Sequence, residues 1–196
     1  MSSILLGILN AQAAGGATAG GAYDLLETQT LDTATSIVSF SDLDTYSGYE
    51  HLQVRMVARS DRPDPNTQDY FVTTFDNDTN YGTNYTASRL QANAASTSSF
   101  TAGSTGTIYF ESVPGADFGQ ENTYAGVIMD ILDFNNTNKF TSIMAYGGFN
   151  SAVDRRIAII GGTYLVASIP TSLELRCGSD NWSIGSKFAL YGRSGA

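Results

Sequence analysis

From Tyr23 onward the chain alternates apolar and polar residues with a period of two, the pattern of β-strands that bury one face. In EHLQVRMVARS, Leu52, Val54, Met56 and Ala58 fall on one side and His51, Gln53, Arg55 and Arg59 on the other, which predicts a strand with one wet face. The same reading covers 23–29, 36–40, 69–75, 86–91, 106–112, 124–134, 139–146, 155–160, 164–169, 171–177 and 187–192. Turn chemistry separates these segments: RPDPN at 62–66, DNDTN at 76–80, Pro114-Gly115, Gly147-Gly148 and Gly161-Gly162. Only DLDTYSGYE, at 42–50, has room for a short helical turn. About ten to twelve short strands at this spacing predict an all-β domain over residues 23–196, an antiparallel β-sandwich of the jelly-roll type.

The first 22 residues break the pattern. Ile4, Leu5, Leu6, Ile8 and Leu9 form an apolar run interrupted by Gly7 and closed by Asn10, and AAGGATAGGA follows at 13–22. A secretory signal needs a basic start, yet the first Lys or Arg is Arg55, and a bilayer span needs roughly 20 apolar residues. The run is therefore expected to be neither cleaved nor inserted in a membrane. An apolar terminus behind a Gly/Ala-rich tether reads as an anchoring peptide that docks into a groove, on its own domain or on a partner chain. The alternative is that residues 4–9 cover the chain's own core.

Length changes this picture little: 196 residues leave one domain once residues 1–22 are set aside. Charge changes it more. Only 15% of residues are charged and the net charge is -9, which with a pI near 4.3 argues against nucleic-acid binding. The only adjacent basic pair is Arg155-Arg156. Cys177 is the single cysteine, so the chain has no intrachain disulfide and no cysteine-based metal site, and LELRC places it as a small buried strand residue.

Candidate chemistry is sparse. Asp76, Asp78 and Asn80 alternate like the first ligands of a calcium loop, but Tyr81 and Ala87 stand where that loop needs Gly and Glu, so a hairpin between strands 69–75 and 86–91 explains the segment better. His51 is the only histidine and lies on a polar strand face, where a triad partner is not evident. Asp130 and Asp133, three apart in one strand, point to opposite faces and do not make a glycosidase pair. No phosphate-cradling glycine loop occurs. The expectation is no catalytic residue, no cofactor and no metal, with a cation in the 76–80 turn left open. Aromatics are plentiful, with 11 Tyr, 10 Phe and 1 Trp, and several stand in turns. Tyr81, Tyr85, Phe149 and Trp182 are candidate surface-binding rings, and Tyr46, Tyr49 and Phe118 share the turn setting. For Trp182 the competing reading is a ring that closes the end of the core under its loop.

MSSILLGILNAQA with its tether, AYDLLETQTLDTATSIVSFSDLDTYSGYEHLQVRMVARSD, FDNDTNYGTNY, YAGVIMDILDFNNTNKFTSIMAYGG and GSKFALYG together resemble virion structural proteins of tailed bacteriophages, especially aquatic ones. The resemblance implies a non-enzymatic, trimeric β-sandwich appendage of the tail fibre or tail tip. Its N-terminal peptide plugs into other virion proteins and its outer loops face host-surface glycan. Capsid decoration is the alternative placement, and a polysaccharide depolymerase is a weaker one.

Overall fold

The computed structural model describes residues 22–63, 66–93, 95–102, 108–116 and 122–194. The anchor residues Ile4, Leu5, Leu6, Ile8 and Leu9, and Phe118, lie outside them. Twelve strands are described: β1 (Asp24–Thr30), β2 (Ile37–Phe40), β3 (His51–Ala58), β4 (Gln68–Phe75), β5 (Tyr85–Asn93), β6 (Thr97–Ala102), β7 (Ile108–Pro114), β8 (Ala125–Leu132), β9 (Thr141–Asn150), β10 (Arg155–Tyr164), β11 (Leu173–Cys177) and β12 (Lys187–Arg193). Single helical turns occur at Leu43–Tyr46, within the segment expected to hold one, and at Tyr81–Asn84.

The strands form two antiparallel sheets, eight strands in the order β1-β12-β3-β8-β9-β10-β5-β6 and four in the order β2-β11-β4-β7. Period-two burial does what the sequence predicts along β3: Leu52, Val54, Met56 and Ala58 are buried, as are Val127, Met129 and Ile131 on β8. They meet Phe71 and Phe75 of β4, Phe110 of β7 and Leu173 and Leu175 of β11 in one core shared by both sheets. Thr73 of β4 donates across the interface to the Met129 sulfur of β8, at 3.6 Å.

Four local expectations are corrected. The segment between β4 and β5 is not a hairpin, because β4 lies in the small sheet and β5 pairs with β10 and β6 in the large one. Asp76 and Asn77 turn it with φ of 52° and 54°. The Asp76 carboxylate then accepts hydrogen bonds from Thr171 N (2.7 Å) and Thr171 Oγ1 (2.8 Å), which fix the chain as it leaves one sheet for the other. Gly147-Gly148 and Gly161-Gly162 are not turns but lie inside β9 and β10. A Cβ on Gly148 would stand 2.0 Å from the Arg156 carbonyl oxygen, and one on Gly162 would stand 2.8 Å from Ile108 Cγ1 of β7. These glycines mark close approaches of neighbouring backbone and of the opposite sheet. Residues 165–169 form no strand, since β10 ends at Tyr164 and Leu165 N donates to Asn84 O at 2.8 Å. Finally β6, TSSFTA, is a strand whose Ser and Thr hide the alternation.

Asp154, in the turn between β9 and β10, ties that hairpin to the chain before β4. Its carboxylate accepts from Arg156 Nε (2.9 Å), Arg155 N (2.8 Å) and Thr67 Oγ1 (3.0 Å). Burial raises its pKa, but these hydrogen bonds and the Arg156 charge outweigh that and hold it below the usual carboxylate value. A depressed folded pKa contributes stability above the unfolded value, about 3.9, and loses it as pH falls through the folded one. The urea midpoint is therefore expected to decline below about pH 4, and Asp154→Asn to flatten that decline.

Candidate functional site

The outer face of the large sheet is the part of the molecule that departs from a solvated surface. Outward positions on a sheet covered on one side are normally polar. On β3 it holds for Arg55 but not for Val57, which is 53% exposed, while Gln53, expected on the wet face, is buried; β9, β10 and β5 depart from it further. Met144, Tyr146, Ile157, Ile159 and Leu90 all point away from the core, with Ile157 59% and Leu90 56% exposed. Register makes them neighbours: Tyr146 stands opposite Ile159, and Ile159 opposite Leu90. The result is an apolar strip across three adjacent strands.

Beside it a groove of about 690 Å³ runs over β1, β12, β3, β8 and β9. Val57, Ile128, Tyr146 and Ala189 give it apolar walls, and Arg55 and Lys187 stand at its rim. Its floor includes Gly126, where a side chain would meet nothing within 4 Å, so the missing Cβ leaves room. Arg55 is fixed in place: its guanidinium lies 4.8 Å from the Tyr23 ring and 4.5 Å from the Tyr191 ring, and its Nε donates to Gln53 Oε1 at 2.7 Å. Gln53 in turn donates to Asp130 Oδ1 at 2.6 Å.

The rings singled out in the sequence lie elsewhere, and three of the four have no face to offer. Trp182 is fully buried. Its Nε1 donates to Leu175 O at 3.0 Å, and its ring packs 5.7 Å from Phe71 and edge-on, 5.2 Å, to Phe188. It closes the core under its loop, the competing reading. Tyr85 is fully buried too: its hydroxyl accepts from Phe75 N (3.1 Å) and donates to Asp78 O (3.0 Å), and its ring lies 5.0 Å from Tyr164. Burial first, then the Tyr164 and nearby carboxylate charges, push its pKa up. Phe149 faces inward from β9. Tyr81 is half-buried, packed 6.0 Å from Tyr85. Rings in turns are drawn under loops because that is where a sandwich end needs large apolar area.

The titratable groups are likewise held in structural contacts. Glu50, His51 and Asp133 bring ligand atoms within 4.8 Å of one another. His51 Nδ1, however, already accepts from Asp133 N at 3.1 Å, and Asp133 Oδ2 is engaged by Lys139 Nζ at 2.9 Å. Asp78, at the 76–80 turn, accepts from Asn80 N (2.8 Å) and Asn84 Nδ2 (2.6 Å). Cys177 sits 3.5 Å from Asp69 Oδ2, which also accepts from Ser60 Oγ at 2.7 Å. Burial, then the Asp69 charge, push the thiol pKa up to about 12. A thiol so placed is not a nucleophile. In the folded protein near pH 8 iodoacetamide is expected to leave Cys177 unmodified, with full labelling in denaturant, read by intact mass.

The apolar strip was visible in principle. RRIAII and VIMDIL are runs in which both parities carry large side chains, the signal of a strand covered on both faces. What these features define is an all-β, sandwich-like fold with an outward apolar strip on its larger sheet. No family model, curated protein or solved structure matches the chain. Among the described residues, no helix is long and apolar enough to cross a membrane.

Proposed function

We propose that the chain is a non-enzymatic structural protein of a tailed-phage particle, a tail-fibre or tail-tip appendage held on the particle through its N-terminal peptide and assembled as a homo-oligomer, a trimer by the resemblance. The observation that carries this reading is the outward apolar strip of Ile157, Ile159 and Leu90, surface that an isolated sandwich would cover with polar side chains. Copies of the chain meet through this strip in the proposed assembly.

Strand order supports the jelly-roll form. With the β9–β10 hairpin and the flanking β1 and β12 set aside, the sheets read β3-β8-β5-β6 and β2-β11-β4-β7, the double-sheet arrangement used by viral capsid and lectin domains. The engagement of His51, Asp130 and Cys177 in structural contacts supports a role without catalysis. Host-glycan contact, if it uses a ring, falls to the half-buried Tyr81 or to Phe140 in the β8–β9 connection, 47% exposed, because Tyr85, Phe149 and Trp182 are core.

The same strand order favours a second placement, decoration of the capsid shell. Quantitative mass spectrometry of purified particles separates the two: a few copies per particle place the protein on the tail, and copies on the scale of the shell lattice place it on the head. Absence from the particle removes both.

A further inference from the structure

We propose that the groove over β12, β3, β8 and β9 binds a long-chain aliphatic carboxylate. The inference goes beyond the appendage reading, because binding is measured on the chain in solution and stands or falls without a particle.

Register explains why the outer face is hollow here. Val57 of β3 pairs with Gly126 of β8, Gly126 with Gly148 of β9, and Gly148 with Ile157 of β10. Two neighbouring strands therefore carry no side chain at this level, and the surface steps down to backbone between the exposed Val57 and Ile157. Ile128, Tyr146 and Ala189 continue the apolar wall. The space, about 690 Å³, is within the roughly 300–1,000 Å³ of small-molecule sites.

Charge selects the occupant. The chain carries a net charge of -9, yet among the described residues that line the groove none is acidic, while Arg55 and Lys187 are both there. Neither forms an ion pair among the described residues, unlike Arg62, Lys139 and Arg156. Asp130 of β8 is bound to Gln53 instead. Arg55 is held ready: the Tyr23 and Tyr191 rings flank its guanidinium and its Nε donates to Gln53, which leaves its terminal nitrogens to donate to an anion. A carboxylate between these two cations places its chain over Gly126. From β12, which bears Lys187, to β9, which bears Gly148, is three strand spacings, about 14 Å at ~4.8 Å each. An extended chain of roughly twelve carbons, with ~1.5 Å bonds at tetrahedral angles, covers that length.

The test titrates the full chain by calorimetry with dodecanoate below its micelle concentration, beside dodecyltrimethylammonium, which has a chain of the same length and the opposite charge. A protein of net charge -9 favours the cation in non-specific binding, so the reverse preference reports the groove. The expected result is a single saturable site per chain, roughly tenfold or more tighter for the carboxylate. Octanoate, with a shorter chain to bury, is expected to bind roughly tenfold or more weakly than dodecanoate. Lys187→Glu, at an exposed position, is expected to weaken dodecanoate about fivefold or more. Gly126→Trp, whose Cβ meets nothing within 4 Å, fills the groove and is expected to abolish binding, with circular dichroism showing that both variants fold. Equal or tighter binding of the cation, no saturable site, or dodecanoate binding that neither variant lowers would each overturn the inference. Binding that appears only when Ile157→Asp with Ile159→Asp separates the copies would assign the groove to a second copy of the chain and overturn it too.

Discussion

Trp182→Ala is expected to destabilise the domain by about 3–5 kcal/mol, the range for removing a fully buried large aromatic, and to lower the thermal midpoint by about 6–20 °C, since a domain of this size loses about 2–4 °C per kcal/mol. The reason is its position between the sheets. Its ring meets Phe71 of β4 and Phe188 of β12, and its Nε1 donates to Leu175 O of β11, so one truncation opens a cavity against both sheets and removes the indole hydrogen bond. Its main chain adds a further tie, with Trp182 N donating to Thr35 O at 2.8 Å. Trp182→Phe keeps much of the volume but not the donor, so it is expected to recover part of the loss. Urea denaturation followed by far-ultraviolet circular dichroism reads all three proteins without relying on the lost fluorophore. A cost under about 1 kcal/mol for Trp182→Ala would contradict its burial.

Gly148→Ala is expected to cost about 3 kcal/mol, at the upper end of what overpacking usually does. The new Cβ would stand 2.0 Å from the Arg156 carbonyl oxygen and 2.9 Å from Ile157 Cα, and backbone cannot rotate away as a side chain can. Relief requires β9 and β10 to separate where they pair Gly148 with Ile157. Gly126→Ala is the matched control. Gly126 pairs with Gly148 from the other side, on β8, but a Cβ there meets nothing within 4 Å. Reduced freedom of the unfolded chain is then expected to leave it neutral or stabilised by up to about 1 kcal/mol. The contrast between two glycines in one row, read by denaturant midpoints, tests the register of the sheet directly.

Much of the fold was legible in the sequence because half-buried strands write their burial as alternation. Leu52, Val54, Met56 and Ala58 were placed correctly by parity alone. Failures fell where another cause produces the same residues. Gly147-Gly148 reads as a turn by composition, but here two small residues answer a close approach that only the assembled sheet creates. The 76–84 segment has every mark of a hairpin turn, yet the turn residues Asp76 and Asn77 serve a crossing between sheets, which no local signal distinguishes. β6 was missed because Ser and Thr on both parities give no contrast.

The site was less legible than the fold. Aromatics in turns suggested surface rings, but Tyr85 and Trp182 are inside because the ends of a two-layer core need large side chains and their polar atoms find backbone partners there. Ile157 and Ile159 share a strand with Ala158 and Ile160, and burial sorts them: the second pair enters the core and the first faces out. Alternation says which residues share a face, not which of two apolar faces lies inside. That is settled by the neighbouring strands, and the groove beside the strip depends on Gly126 and Val57 meeting across β8 and β3.

Sedimentation equilibrium of the full chain beside the double variant Ile157→Asp, Ile159→Asp tests the assembly surface most directly. Both positions are outward, so the charges leave the core unchanged. The expected result is a discrete oligomer for the natural sequence, at three times the 20.8 kDa chain mass for the trimer, and a folded monomer for the variant. A natural chain that stays monomeric at all accessible concentrations, or a variant that associates just as well, would contradict an assembly role for this face.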